Sequence, residues 1–222
     1  MKLYAPIKVG KPTAIVISDR DLSVGYNGLF RASFKEAMEI MPALSELFKS
    51  IPVDNIDDYE IDIKVHMLMK NQYPCIPNWH CDNVPRDFKT GHTDYPAAEQ
   101  TILQNIDKPM FLWVSGTPCT EFLSRDIITH ENITGHDSVA SVMRDLMAAD
   151  SVCDDKPVVE RIKPQQWYQM NRLTPHRGTI SESNQWRIFC RVTHKSCLPA
   201  RNVESVVRRH SQVYLDSNLF TW

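Results

Sequence analysis

The clearest pattern in the chain is the alternation over residues 61–69, where Ile61, Ile63, Val65, Met67 and Met69 fall on one side and Asp62, Lys64 and His66 on the other. A period of two marks a β-strand with one face on a core. The segment is therefore expected as a half-buried strand whose polar residues, His66 included, face water. The same period governs residues 186–193, where Arg187, Phe189 and Arg191 share one side and Ile188, Cys190 and Val192 the other. Shorter β-prone runs over 13–18, 110–115, 158–162 and 166–172 predict further strands.

Helical spacing is confined to three places. Phe34, Ala37, Met38, Met41, Leu44, Leu47 and Phe48 recur with a helical period broken by Pro42, which predicts one kinked helix or two short ones. Asp137 is the expected cap of a helix with Val139, Val142, Met143, Leu146 and Met147 on one face, and Asn202 that of a helix carrying Val203, Val206, Val207, Val213 and Tyr214. There is no internal repeat, and 14 prolines against 7 glycines divide the chain into short runs. This punctuation suits a mainly β fold in which strands carry the site and flanking helices buttress it.

With 222 residues, 42% of them apolar and 23% charged, the chain can bury a core of its own and fits one domain. A formal charge of −2 gives no global field to hold a polyanion, so a nucleic acid would need a local patch. Cys75, Cys81, Cys119, Cys153, Cys190 and Cys197 lack the paired spacing of structural zinc sites and read as reduced thiols. The first residues form no continuous apolar run of the signal-peptide kind, and no stretch is long enough to span a bilayer. The expectation is a soluble, cytoplasmic protein with no membrane partner.

The candidate chemistry lies in two separated segments, Trp79-His80-Cys81-Asp82 and Pro175-His176-Arg177-Gly178. In extended backbone His80 and Asp82 point the same way, and His176 from another strand would complete two imidazoles and one carboxylate. That donor set holds a metal on one face and leaves neighbouring positions open. An H-x-D triplet alone is common in a chain with eight histidines. Arg187 and Arg191 add weight, because two guanidinium groups on one face of a β-prone segment are costly to bury without anions. A guanidinium takes a carboxylate through two parallel hydrogen bonds. A competing triplet, His92-Thr93-Asp94, sits in a polar stretch between Gly91 and Pro96 that reads as a loop. His80 and Asp82 are preferred because they follow a strand and carry Trp79. The remaining histidines, His66, His130, His136, His194 and His210, read as solvated positions.

The order H-x-D, distal histidine, then arginine eleven positions on resembles the 2-oxoglutarate/iron(II)-dependent dioxygenases. In the separation of its histidines and in Pro-His-Arg-Gly it is most similar to the phytanoyl-CoA hydroxylase-like branch; the matching motifs are confined to about residues 62–193. The resemblance implies a double-stranded β-helix, a jelly-roll or cupin-like barrel, over about 59–195; the chain as a whole is expected as a single domain spanning 1–222, with an N-terminal elaboration over about 1–58 and a C-terminal helix over about 201–216. It implies that His80, Asp82 and His176 bind iron(II) and carry catalysis, and that Arg187 holds the distal carboxylate of 2-oxoglutarate as co-substrate. Dioxygen is then the oxidant, and succinate and carbon dioxide leave as the substrate is hydroxylated or otherwise oxidised. The family often places Ser or Thr two positions after its arginine; here Phe189 stands there, while Thr193 follows Arg191, so Arg191 is a rival for the 2-oxoglutarate contact. By the same resemblance Trp113, Thr120 and Glu121 are candidate pocket residues, the alternative being an ordinary strand connection.

Residues 83–104 and 121–138 are the expected loops over the mouth, with His92 in that lid. Basic and aromatic residues mix over 83–89, a composition able to stack on a base. A small metabolite or amino acid derivative leads as substrate, ahead of a nucleotide, a nucleic-acid base or a protein side chain. Two other classes stay open: a non-catalytic jelly-roll binding module, and a cupin-like metal-dependent hydrolase or isomerase, which would not need Arg187.

Overall fold

In the computed structural model, residues 2–22, 27–82, 105–116, 119–129, 136–148 and 159–215 are described. Its strands in chain order are β1 (Lys2–Leu3), β2 (Ile7–Val9), β3 (Gly28–Ala32), β4 (Tyr59–Leu68), β5 (Gln72–Tyr73), β6 (Met110–Val114), β7 (Thr120–Leu123), β8 (Ile127–Ile128), β9 (Val159–Arg161), β10 (Trp167–Met170), β11 (His176–Gly178), β12 (Gln185–His194), β13 (Val207–Arg208) and β14 (Tyr214–Leu215). The helices are α1 (Asp19–Leu22), α2 (Phe34–Ile40), α3 (Ser45–Lys49) and α4 (His136–Ala148).

The two segments with the strongest alternation, β4 and β12, pair antiparallel along their full length and form the middle of a seven-stranded sheet in the order β13-β3-β4-β12-β6-β10-β2. A three-stranded sheet, β11-β7-β9, lies against it, extended at one edge by a backbone bridge between His80 and His176. From β4 onward the chain alternates between them. β4 is in the large sheet, His80 in the small, β6 in the large, β7 and β9 in the small, β10 in the large, β11 in the small and β12 in the large. Met110, Leu112, Val114, Tyr168 and Met170 of the large sheet meet Phe122 of the small one in the core between them. The sheets stay separate, with no ladder closing them into the expected barrel among the described residues.

The outer face of the large sheet carries the second core. Leu29, Ile63, Cys190 and Trp113 are successive partners across four strands, and all are buried there under Ala37, Leu44, Leu47 and Phe48. As the interrupted period predicted, two short helices form. Ser33 caps α2 in a reciprocal box: its Oγ accepts from the Glu36 N–H at 3.2 Å and its own N–H donates to Glu36 Oε2 at 2.7 Å. Pro42 then opens a 3-10 turn, Pro42–Leu44, before α3. A third cluster packs Val139, Val142 and Met143 of α4 on Leu3, Trp79, Cys81 and Leu123, which anchors the backbone on either side of His80. Asp137 falls just inside α4.

Three expectations are corrected. Residues 13–18 form no strand, because β2 already occupies the edge of β10. Their donors go instead to Gln165, whose carbonyl accepts from Thr13 N–H at 2.7 Å and whose Oε1 accepts from Ile15 N–H at 3.0 Å. The helix expected over 201–216 is replaced, in its described part, by β13 and β14. The β-branched Val206 and Val207 suit extended backbone, and the open edges of β3 and β5 offer partners, Val207 lying opposite Leu29 and Tyr214 opposite Tyr73. Residues 121–128, expected within a loop, contain all but the first residue of β7 and the whole of β8. No described helix is long and apolar enough to cross a membrane, and none of the five described cysteines is in a disulfide.

Candidate metal centre

After β4 the chain turns through residues 74–78 and meets β11 edge to edge. His80 N–H donates to the His176 carbonyl and His176 N–H to the His80 carbonyl, both at 2.9 Å. This reciprocal pair puts the two imidazoles side by side, with ring centroids 4.4 Å apart. Gly178 allows the close approach: a Cβ there would come within 2.5 Å of the Cys75 carbonyl oxygen. The ligand atoms of His80, Asp82 and His176 all lie within 4.8 Å of one another, and His176 Nε2 is 3.7 Å from Asp82 Oδ2.

Both imidazoles are oriented by the main chain. His80 Nδ1 is 2.9 Å from the Asn78 carbonyl and His176 Nδ1 is 3.1 Å from the Thr174 carbonyl. A carbonyl oxygen only accepts, so in each ring Nδ1 carries the proton and Nε2 keeps its lone pair. Two such nitrogens and one carboxylate are a donor set suited to a divalent first-row metal.

Asp82 is also held by Arg191, whose Nη1 lies 2.8 Å from the same Asp82 Oδ2 while its Nη2 lies 2.6 Å from Asp62 Oδ2. Burial works to raise the Asp82 carboxyl, but the Arg191 charge and the two imidazoles outweigh it and hold it well below the usual carboxylate range. Arg191 is thus engaged by two carboxylates.

Arg187 is in the contrary situation. It is 1% exposed, donates from Nη2 to Thr120 Oγ1 at 3.2 Å, leaves Nε without a partner, and has no ion pair among the described residues. His66 sits directly opposite it in the ladder, buried, with neither ring nitrogen bonded. Burial, then the charges of Arg187 and Lys64, push this imidazole down to about 3, so the solvated reading of His66 is overturned.

A cavity of about 430 Å³ opens from the His80, Asp82 and His176 cluster; Thr120 and Lys64 are in its wall, as is Arg208 of β13. Thr120, an expected pocket residue, lines this cavity. Trp113 is not: β6 alternates, so Leu112 faces the cavity while Trp113 is buried in the outer core, its Nε1–H donating to Thr13 Oγ1 at 2.8 Å. Glu121 is drawn off by Arg177 at 2.8 Å and Arg161 at 3.5 Å. Sequence reading missed Asp62 and Lys64 as site residues, although their alternation with Ile61, Ile63 and Val65 held the signal. His210, exposed as expected, also reaches the cavity wall. His92, Asp94, the rest of residues 83–104, His130 and Cys153 lie outside the described residues.

No protein-family profile matches this chain, and no curated protein does. Among solved structures it is similar to EvdO2 from Micromonospora carbonacea var. aurantiaca, complexed with 2-oxoglutarate, at 10% identity and a TM-score of 0.30, covering 82% of this chain and 92% of the other. Likeness at that level carries no weight for fold or chemistry, which rest on the geometry above.

Proposed function

We propose that this protein is a non-haem iron(II)/2-oxoglutarate-dependent oxygenase acting on a small-molecule substrate, with the two sheets as a double-stranded β-helix. The observation that carries this reading is the pairing of two features: three metal-type ligand atoms within 4.8 Å on the cavity, and a buried arginine with no acid partner among the described residues that donates to Thr120 in the wall of that cavity. The alternation of β4 to β12 between the sheets supports the fold assignment.

His80, Asp82 and His176 would hold the metal, the imidazole Nδ1 protons fixed on main-chain carbonyls so that Nε2 is the ligand atom of each ring. Arg187, with the Thr120 hydroxyl beside it, would receive the distal carboxylate of 2-oxoglutarate; its unpartnered Nε fits that role, and Arg191, already on Asp62 and Asp82, does not. Iron(II) with its oxo-acid supplies oxidation by dioxygen, coupled to release of succinate and carbon dioxide. The chain's own contribution is placement: Arg191 keeps Asp82 ionised and aimed, and the apolar wall of Leu112 and Phe189 limits water around the bound groups.

The test is anaerobic titration of metal-free protein with iron(II) and then 2-oxoglutarate, following the weak visible band of an oxo-acid on iron(II). The band is expected in the wild type, absent in His176→Ala, and shifted to at least about tenfold higher 2-oxoglutarate concentration in Arg187→Met, the loss of a charge-assisted pair. Iron binding without the band would discard this function in favour of a metal-dependent hydrolase or isomerase.

A further inference from the structure

The cavity has a second polar end that the metal and the co-substrate leave unused. Phe189, Lys64, Gly28 and Arg208 are directly opposite one another on four adjacent strands, β12, β4, β3 and β13, so their side positions share the cavity face. Gly28 separates the two cations. It has no side chain because β3 runs close against β4: a Cβ there would lie 2.0 Å from the Ile63 carbonyl oxygen. Lys64 and Arg208 therefore flank bare backbone, two strand spacings or about 10 Å apart at the main chain.

Neither cation is neutralised. Arg191 absorbs both cavity carboxylates, Asp62 and Asp82, while Lys64 and Arg208 have no ion pair among the described residues. The Lys64 ammonium rests over the Phe189 ring at 5.6 Å, and the Arg208 guanidinium lies over the Phe30 ring at 4.0 Å. Both contacts are with rings that also line the cavity. Ser211, three residues beyond Arg208, contributes to the same wall a buried hydroxyl that has no partner. Cations held on aromatic faces with a hydroxyl donor beside them, and without acids, are complementary to an oxyanion.

We propose that Lys64, Arg208 and Ser211 form an oxyanion subsite for the primary substrate, which is thus a small carboxylate or phosphate whose reacting carbon lies toward the metal. The identity of the substrate as the group's owner rests on the oxygenase reading; the anion site itself does not. The alternative owner is a carboxylate of 2-oxoglutarate, which the experiment separates.

Inorganic phosphate is the probe, followed by phosphorus NMR with metal-free protein and with manganese(II)-loaded protein saturated with 2-oxoglutarate. Phosphate is expected to bind both forms with similar affinity, and to be broadened by manganese because it sits in the same cavity. Lys64→Gln and the exposed Arg208→Gln should each weaken it at least about tenfold, the worth of one charge-assisted bond, with 2-oxoglutarate affinity changed less than twofold. Unchanged phosphate binding in both variants, no binding, no broadening although manganese(II) is bound, or displacement by 2-oxoglutarate would each overturn the subsite. Phosphate bound at Lys64 and Arg208 in a protein that takes neither metal nor 2-oxoglutarate would instead overturn the oxygenase and leave the subsite standing.

Discussion

The two faces of the large sheet are built from the same strands to opposite ends. On the outer face one cross-strand row reads Leu29, Ile63, Cys190, Trp113, and all four are sealed under α2 and α3. One residue along, the inner face reads Arg208, Gly28, Lys64, Phe189, and the next inner rows bring Asp62 opposite Arg191 and His66 opposite Arg187. The outer face contributes burial of apolar area, and among the described residues no buried polar atom in that row is left unpaired. The inner face keeps an arginine and a histidine buried and a lysine half-buried, all with incomplete partners, which costs stability and is retained where binding needs it.

The largest effect that would break this comparison is in the outer face. Trp113→Ala should cost about 3–5 kcal/mol, the range for emptying a fully buried aromatic site, and it also removes the donor to Thr13 Oγ1, which keeps only its own bond to the Gln165 carbonyl at 3.1 Å. Phe189→Ala, half-buried on the inner face, should cost clearly less in the same denaturant titration. Equal losses would mean that the inner face is as much a packed core as the outer one.

The same contrast explains what could be read beforehand. The alternation of β4 and β12 separated the two sides over their paired length, because period two is a local property, although Met67 and Met69, expected on the core face, are 42% and 50% exposed and Met69 lies beyond β4. It could not say what the polar side faces. Asp62, Lys64 and His66 look like a solvated edge until the small sheet, distant in sequence, is laid over them. His80, Asp82 and His176 were legible from donor type and spacing, and the structure gathers them. The strands that gather them were not. His176–Gly178 and Thr120–Leu123 are too short to show a period, and exist because each finds an edge to pair with. Val206, Val207 and Tyr214 showed a helical stripe, yet strand edges at β3 and β5 outcompeted it.

His66 gives a prediction of middle size. Its imidazole is pushed down to about 3 in the folded protein, against about 6.5 when unfolded. Between those values the unfolded chain holds a proton that the native one does not, so stability is full above pH 6.5 and falls as the pH drops toward 3. The slope approaches about 1.4 kcal/mol per pH unit well inside the window. His66→Gln removes the titration. Between pH 7 and pH 5 the wild type should lose about 2 kcal/mol more than the variant in urea unfolding. Parallel pH profiles would show that His66 is hydrated in solution.

Arg187 sharpens the comparison with the smallest change and a reversal of sign. Its guanidinium is 1% exposed with Nε unpartnered, so burial lowers its pKa and its charge is a cost to the empty protein. Arg187→Met fills similar volume without that cost, and should raise stability by about 1 kcal/mol, the low end for replacing buried ionic groups with well-packed apolar ones. With 2-oxoglutarate and manganese(II) the order should invert. A ligand at one hundred times its Kd stabilises the wild type by about 2.7 kcal/mol, and the variant, which binds it poorly, gains little. Thermal melts of both proteins with and without the pair of ligands read this directly. A variant that is less stable when empty would make Arg187 a structural residue, whereas one that is more stable both empty and loaded would leave the arginine without its carboxylate.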